Sequence, residues 1–221
     1  GLRMEDAEYQ YRESALYRVD VASSEITQLT TRRGGESNPV PSPDGRMIAY
    51  LGNEFTTDTY TERELSVMRA DGSGTRVIAR ELGGIGNVTW TADGSGLYFN
   101  AAMKGTANLW DAPIGGEPRA VTQGNHMLST TDIGGGVAVG TRTSYHEPGS
   151  LVTFDLDDPG DIRVLKGTNE AVLSQVELGE VEEIWYESVD GLPIQGWINK
   201  PPGFDPSRKY PLILRIHGGP H

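Results

Sequence analysis

One set of features returns at a fixed offset along this chain, and that offset limits the fold more than any other property of the sequence. Leu16-Tyr17-Arg18-Val19-Asp20 alternates apolar and polar residues. Ile26-Thr27-Gln28-Leu29-Thr30 follows, then Pro41-Ser42-Pro43-Asp44-Gly45, then Met47-Ile48-Ala49-Tyr50. The same order comes back as Leu65-Ser66-Val67-Met68-Arg69, Arg76-Val77-Ile78-Ala79, Thr91-Ala92-Asp93-Gly94 and Leu97-Tyr98-Phe99. Leu16 to Leu65 and Asp44 to Asp93 are both 49 residues. A period of this size marks a repeat architecture, in which each unit buries its apolar faces only against its neighbours.

A third unit opens at Leu109-Trp110-Asp111-Ala112 and runs to Arg119-Ala120-Val121-Thr122, with a degenerate turn at Asp132-Ile133-Gly134-Gly135-Gly136 before Val137-Ala138-Val139. A fourth opens at Leu151-Val152-Thr153-Phe154-Asp155, followed by Ile162-Arg163-Val164-Leu165. The starts at 16, 65, 109 and 151 are spaced by 49, 44 and 42 residues. Each unit holds about four short strands and shows no helical period. Asp-Gly between two strand-like runs is a strong hairpin signal, because both residues tolerate positive φ. Four strands in roughly 40–45 residues make one propeller blade, so a partial β-propeller of about four blades is expected. A β-sandwich with incidentally similar turns is the alternative. The expected core includes Tyr50, Trp90, Phe99, Trp110 and Phe154, since large aromatics dominate core energetics. The Ser-Pro-Asp-Gly turn with its following Ile-Ala-Tyr strand resembles the blades of TolB-like and prolyl oligopeptidase propellers.

Composition narrows the function classes. The formal net charge of −12 repels phosphates, so neither nucleic acid nor an anionic membrane is expected as a partner. No cysteine is present, which removes disulfides, thiolate catalysis and cysteine zinc sites. No run approaches the ~18 apolar residues of a membrane span. The acidic start GLRMEDAEYQYRE is not a signal peptide. A cytoplasmic location is expected; a periplasmic or secreted one stays open, because the sequence reads as starting inside a domain. Asp71, Asp93, Asp155, Asp157, Asp158 and Asp161 lie in Gly- and Pro-rich turns, where Asp caps backbone amides. The run from Asp155 to Asp161 loosely resembles a calcium loop but lacks the glycine and terminal glutamate of an EF-hand at the right spacing. His126 and His146 have no ligand-like neighbours in sequence and read as surface or packing residues. No cofactor and no metal are expected.

After about Leu165 the repeat stops. Ile184-Trp185-Tyr186-Glu187-Ser188-Val189, the turn Asp190-Gly191 and Leu192-Pro193-Ile194-Gln195-Gly196-Trp197-Ile198 read as a hairpin. Lys200-Pro201-Pro202-Gly203-Phe204-Asp205-Pro206 cannot hold regular structure. Tyr210-Pro211-Leu212-Ile213-Leu214-Arg215-Ile216 reads as a central strand buried on both faces and leads into His217-Gly218-Gly219-Pro220-His221. The expected division is a C-terminal propeller portion over 1–178 and the opening of an α/β-hydrolase domain over 179–221.

This succession resembles the start of the catalytic domain of the prolyl oligopeptidase family of serine peptidases. It comprises Tyr186 with Asp190-Gly191 and Gly196-Trp197, the Pro-Pro-Gly-Phe segment, the Tyr-Pro-Leu-Ile-Leu strand and His-Gly-Gly-Pro-His. The His-Gly-Gly-Pro form is most similar to the acylaminoacyl-peptidase branch. The resemblance implies acyl-enzyme hydrolysis of short peptides, N-acylated ones among them, with the propeller screening substrates by size. It also implies that residues 217–219 form an oxyanion-hole loop, with Gly219 donating its N–H and Gly218 and His217 shaping the turn. Glycines suit that task because backbone must approach the substrate without a Cβ in the way. The plain reading of Gly-Gly is a tight strand-to-loop turn without chemistry.

The catalytic triad is not in this chain. No serine has glycine at both −2 and +2; Gly35-Glu36-Ser37-Asn38-Pro39 fails at its last position. His217 and His221 precede any nucleophile, whereas the base of such an enzyme follows it. Both ends therefore read as cut relative to the family pattern. The expected partners are a short peptide substrate and the remainder of the same protein, carrying further blades and the triad; assembly into a homo-oligomer stays open. An esterase or isopeptidase on the same fold, and a non-catalytic binding propeller, are the competing functions.

Overall fold

The structure is a computed structural model that describes residues 1, 8–10, 12–58, 60–216 and 218. Strands β1 (Tyr17–Val19) and β2 (Ile26–Gln28) pair antiparallel. Three four-strand antiparallel meanders follow among the described residues. The first contains β3 (Glu36–Pro41), β4 (Met47–Gly52), β5 (Glu64–Arg69) and β6 (Arg76–Ala79). The second contains β7 (Gly83–Trp90), β8 (Gly96–Met103), β9 (Thr106–Pro113) and β10 (Arg119–Ala120). The third contains β11 (Met127–Gly134), β12 (Val137–Ser144), β13 (Glu147–Asp155) and β14 (Asp158–Gly167). The second and third are joined by one parallel bridge, Ala107 to Met127. These are the blades of a partial propeller, so the sandwich alternative is set aside.

The sequence repeat is real but phased differently from the sheets. Leu65, Leu109 and Leu151 fall on the third strands β5, β9 and β13, and Leu16 immediately precedes β1. Each sheet therefore begins half a unit later. Of the first sequence unit, β1 and β2 stand where β5 and β6 stand in the next one. The third strands share a leucine at the matching position, Leu65, Leu109 and Leu151, while the first strands β3, β7 and β11 differ in sequence and are shifted in register between Ser37 and Val40, between Gly86 and Thr89, and between Thr130 and Asp132. That is why the third strand is the easier one to see in the sequence.

The core lies between blades. One cluster joins Leu51, Leu65 and Val67 of the first sheet to Trp90, Leu97 and Phe99 of the second. Another joins Leu109 of the second to Leu128, Val152 and Phe154 of the third. A third joins Leu16 to Tyr50 and Met68. Strands β4, β5 and β8 are buried on both faces because each sheet has a sheet on either side, so their apolar runs are nearly continuous. Tyr50, Trp90, Phe99 and Phe154 are buried as expected; Trp110 is half-buried against the first cluster. Polar groups stitch the same faces. Trp90 Nε1 donates to Val40 O at 2.9 Å. Asn100 Nδ2 donates to Leu128 O at 3.0 Å, and its Oδ1 accepts from Thr130 N at 2.8 Å. Asn87 on β7 donates to Ser129 Oγ on β11 at 2.9 Å, which sets first strands side by side.

The two ends of the blades differ. At one end β3–β4 and β7–β8 close in matching turns, with Gly45 and Gly94 both at φ +70°. In each the aspartate is the hub: Ser42 Oγ and Arg46 N donate to Asp44 Oδ1, and Thr91 Oγ1, Ser95 N and Ser95 Oγ donate to Asp93 Oδ1. The Thr91 hydroxyl, then the Ser95 amide and hydroxyl, hold the Asp93 carboxyl at about 2 against an ordinary 3.8. A carboxylate depressed in the folded state stabilises above its unfolded pKa and loses that contribution as pH falls toward its folded one. Asp93 therefore protonates only near pH 2 in an NMR titration, and the Asp93→Asn variant shows a shallower fall of stability between pH 4 and 2. A titration midpoint at 3.8 would contradict the turn geometry. At the other end, β8–β9 and β12–β13 connect through the short turns Lys104-Gly105 and Tyr145-His146, while β4–β5 connects through residues 53–63.

Beyond the blades, α1 (Glu170–Leu173) is a single turn, and β15 (Val181–Glu187) pairs antiparallel with β16 (Pro193–Asn199). The expected central strand at Tyr210–Ile216 makes no ladder with any described strand, and Leu212, Ile213, Leu214 and Ile216 are 77–91% exposed. A strand apolar on both faces needs ladder partners and covering layers that the described residues do not provide. No helix among the described residues is long and apolar enough to cross a membrane.

Candidate active-site loop and its support

The candidate loop is reached from the hairpin. Its register runs from Val181↔Asn199 to Glu187↔Pro193, and it closes at Asp190-Gly191, where Ser188 N donates to Leu192 O at 2.9 Å. The Ser188 hydroxyl donates to the Asp190 carboxylate, which lowers the pKa of that carboxyl. Lys200, just past β16, pairs with Glu182 at 2.8 Å and Glu180 at 3.2 Å, and those two carboxylates hold its ammonium above the ordinary lysine range.

The Pro-rich segment after Lys200 has no ladder and is shaped by side chains instead. Phe204 and Tyr210 stack at 5.1 Å between centroids, with the Lys200 ammonium 5.5 Å from the Phe204 centroid. Asp205 N donates to the Tyr210 hydroxyl at 3.0 Å, while Asp205 Oδ1 accepts from Ser207 N and Oγ at 2.9 and 2.7 Å. The chain thus passes an aromatic bracket before residues 211–216 carry it to the candidate loop. Of that loop, Gly218 is exposed, and a Cβ placed on it meets no atom within 4 Å. His217 and Gly219, the other two expected site residues, lie outside the described residues, as do Pro220 and His221.

The two described histidines sit elsewhere, at the end of the blades that meets the hairpin. His146 Nε2 lies 2.7 Å from Gly179 O. His126 Nε2 is buried with no hydrogen-bond partner among the described residues. Burial, together with the nearby Arg142 cation, pushes the His126 imidazole below the usual histidine range, with Glu147 opposing. Glu147 is itself held low by its bond to Arg142, 2.7 Å from Oε2 to Nε. Neither imidazole bonds to a serine or a carboxylate among the described residues. No group of three or more His, Asp or Glu side chains converges as a metal site among the described residues. Asp155, in the turn loosely like a calcium loop, pairs with Arg163 at 2.9 Å.

The hairpin is seated on two blades. Gln195 Nε2 donates to Lys104 O at 2.8 Å and to Glu183 Oε1 at 2.8 Å; the same carboxylate oxygen accepts from Trp185 Nε1 at 2.6 Å. Trp197 lies over Gly105 and faces Tyr145, with ring centroids 6.2 Å apart. Between these contacts is a cavity of about 440 Å³, walled by Lys104, His126, Tyr145, His146, Glu183 and Trp197. Sequence reasoning missed this seat. Its signals were a Lys-Gly pair at a strand junction and a Tyr-His pair at the next one, both too common to single out.

No protein-family model matches the chain. Dipeptidyl-peptidase 5 of Porphyromonas gingivalis is 30% identical over 191 residues, which is 85% of this chain and 28% of that protein. Probable dipeptidyl-peptidase 5 of Aspergillus niger is 32% identical over 197 residues, 85% of this chain and 26% of that protein. The chain thus spans about a quarter of the length of these curated relatives. Among solved structures, an acylaminoacyl peptidase in complex with Z-Gly-Gly-Phe-chloromethyl ketone superposes with a TM-score of 0.70 at 18% identity, covering 91% of this chain and 30% of that one. The β-propeller domain of the Trilobed protease from Pyrococcus furiosus superposes at 0.53 with 20% identity, covering 73% and 46%.

Proposed function

We propose, on the premise that this chain belongs to the prolyl oligopeptidase family of serine peptidases, that the protein containing it cleaves short peptides by acyl-enzyme chemistry. The relatedness to dipeptidyl-peptidases 5 along most of the chain carries this reading. Residues 1–178 contribute blades and residues 179–221 open the catalytic domain. In the reaction a serine Oγ, supplied by the rest of the protein, attacks the scissile carbonyl carbon while a histidine takes its proton. The carbonyl oxygen becomes an oxyanion, and the N–H of Gly219 meets it beside Gly218 and His217. The amine leaves with the histidine's proton, and water then releases the acyl group. The blades stand over the site and admit short peptides in preference to folded proteins.

The relatives' names favour release of dipeptides from a free amino terminus. The His-Gly-Gly-Pro-His sequence favours a second reading, in which an N-acylated residue is released. The two differ in one charge: the first substrate carries an ammonium group and the second an amide. The complete protein is offered dipeptidyl anilides, acetyl-aminoacyl anilides, simple esters and an isopeptide-linked peptide. Faster hydrolysis of the dipeptidyl anilides, abolished by a serine-directed fluorophosphonate, is expected. Preference for acetylated anilides would install the second reading; hydrolysis of esters or isopeptides alone would point to those chemistries. No hydrolysis of any of them would leave a binding propeller.

A further inference from the structure

We propose that Trp197, Gly105 and His146 are positioning residues that fix the angle between the blades and the second unit, and so set the size of peptide admitted. The size claim rests on the peptidase reading above. The fixing of the angle rests on geometry alone.

The hairpin touches two consecutive blades. One contact is at the β8–β9 turn, through Gly105 and Lys104; the other is at the β12–β13 turn, through Tyr145 and His146. A single contact would leave the hairpin free to pivot, whereas two on separate blades define its tilt. The first contact is close-fitting. A Cβ on Gly105 would lie 2.5 Å from Trp197 Cζ2 and 2.7 Å from Cη2, and Gly105 has φ +75°. Only glycine satisfies both conditions there.

The second contact pins the segment entering the hairpin. His146 Nε2 donates to the carbonyl oxygen of Gly179. Gly179 is also pressed against the start of the segment leaving it, since a Cβ on Gly179 would fall 1.7 Å from Lys200 O. Entry and exit strands are therefore held together at the point where His146 grips them. Lys200 N donating to Glu180 O at 2.9 Å closes the same junction.

The seat is a rim around a hollow. The 440 Å³ cleft, partly open to solvent, lies between the two contact points, so among the described residues the hairpin meets the blades there at its rim. The few rim contacts carry the resistance to rocking, which is how hinge-bearing segments differ from the rest of a fold. Lys200 and the Phe204–Tyr210 bracket follow the hairpin directly in the chain.

The test uses the complete protein and two readouts. One is amide hydrogen exchange across residues 174–199. The other is the ratio of kcat/KM for a long unstructured peptide to that for a dipeptidyl anilide. Trp197→Ala is expected to raise exchange about tenfold, the effect of losing an aromatic contact of this kind, and to raise the ratio by a similar factor. Trp197→Phe keeps an aromatic ring toward Tyr145 but not the indole atoms that meet Gly105, and falls between the parent and Trp197→Ala in both. His146→Gln, which keeps a donor, stays nearer the parent than His146→Ala. Gly105→Val reproduces Trp197→Ala from the opposite side of the contact. Unchanged exchange in folded Trp197→Ala, or an equal change in Trp197→Phe, overturns the proposal. Raised exchange with no peptide hydrolysis even in the parent removes the peptidase reading and the size claim, while the clamp stands.

Discussion

Gly219→Val in the complete protein lowers kcat about 10²–10³-fold, as loss of one oxyanion donor does, and leaves the melting temperature nearly unchanged. The expected asymmetry comes from what surrounds the loop. A Cβ on the adjacent Gly218 meets nothing within 4 Å among the described residues. The crowding arises when a scissile carbonyl arrives. A branched side chain at 219 then pushes the carbonyl away from the N–H that receives its developing charge. Charge forms only in the transition state, so kcat falls further than KM rises. Single-turnover kinetics with a chromogenic peptide anilide, beside a thermal melt, make the comparison. Unchanged turnover in a folded variant would assign the oxyanion donor to another residue. An equal loss of melting temperature and turnover would make the glycine a structural one.

Trp90→Ala in the complete protein lowers stability by about 3–5 kcal/mol, the range for an aromatic truncated in a packed core. Trp90 is 7% exposed and belongs to the cluster between the first and second blades, beside Leu51, Leu65 and Phe99. Truncation opens a cavity between two sheets that are not hydrogen-bonded to one another through their strands. It also takes away the donor to Val40 O. Trp90→Phe separates the two effects: it refills most of the volume but not the hydrogen bond, for which about 1 kcal/mol remains lost. Denaturant unfolding of the blades reads both. A cost near zero for Trp90→Ala would mean that this indole does not join the blades.

The repeat and its turns were legible because they are local. Asp44-Gly45 and Asp93-Gly94 encode their turns within a few residues, and Leu65, Leu109 and Leu151 mark the same strand in successive blades. The phase was not legible. First strands carry register shifts and polar residues such as Asn87 and Ser129, whose partners lie on another blade. Buried Asn100 escaped for the same reason, since it bonds the backbone of Leu128 and Thr130 across a sheet-to-sheet face. At the site, the hairpin around Asp190-Gly191 was readable from its turn. The Gly105–Trp197 fit was not, because it joins residues far apart in sequence by the shape of their surfaces. Tyr210–Ile216 shows the reverse case. Its sequence has the composition of a buried strand, while the described residues leave it unpaired and exposed. Composition reports the environment that a segment requires, and the described residues do not contain it.

The difference between the two ends of the blades also bears on how such a scaffold can change over generations. At the Asp-Gly end the aspartate hydroxyl networks tie the turns of the first two blades to a fixed length, and an inserted residue there would break several bonds at once. At the hairpin-facing end the connection is a tight pair in two blades and residues 53–63 in another, over the same inter-sheet packing. Insertions at that end are absorbed without disturbing the core, because a surface loop lengthens at small entropic expense. Novelty in what the protein recognises can therefore accumulate at one rim, blade by blade, while the opposite rim keeps the units interchangeable.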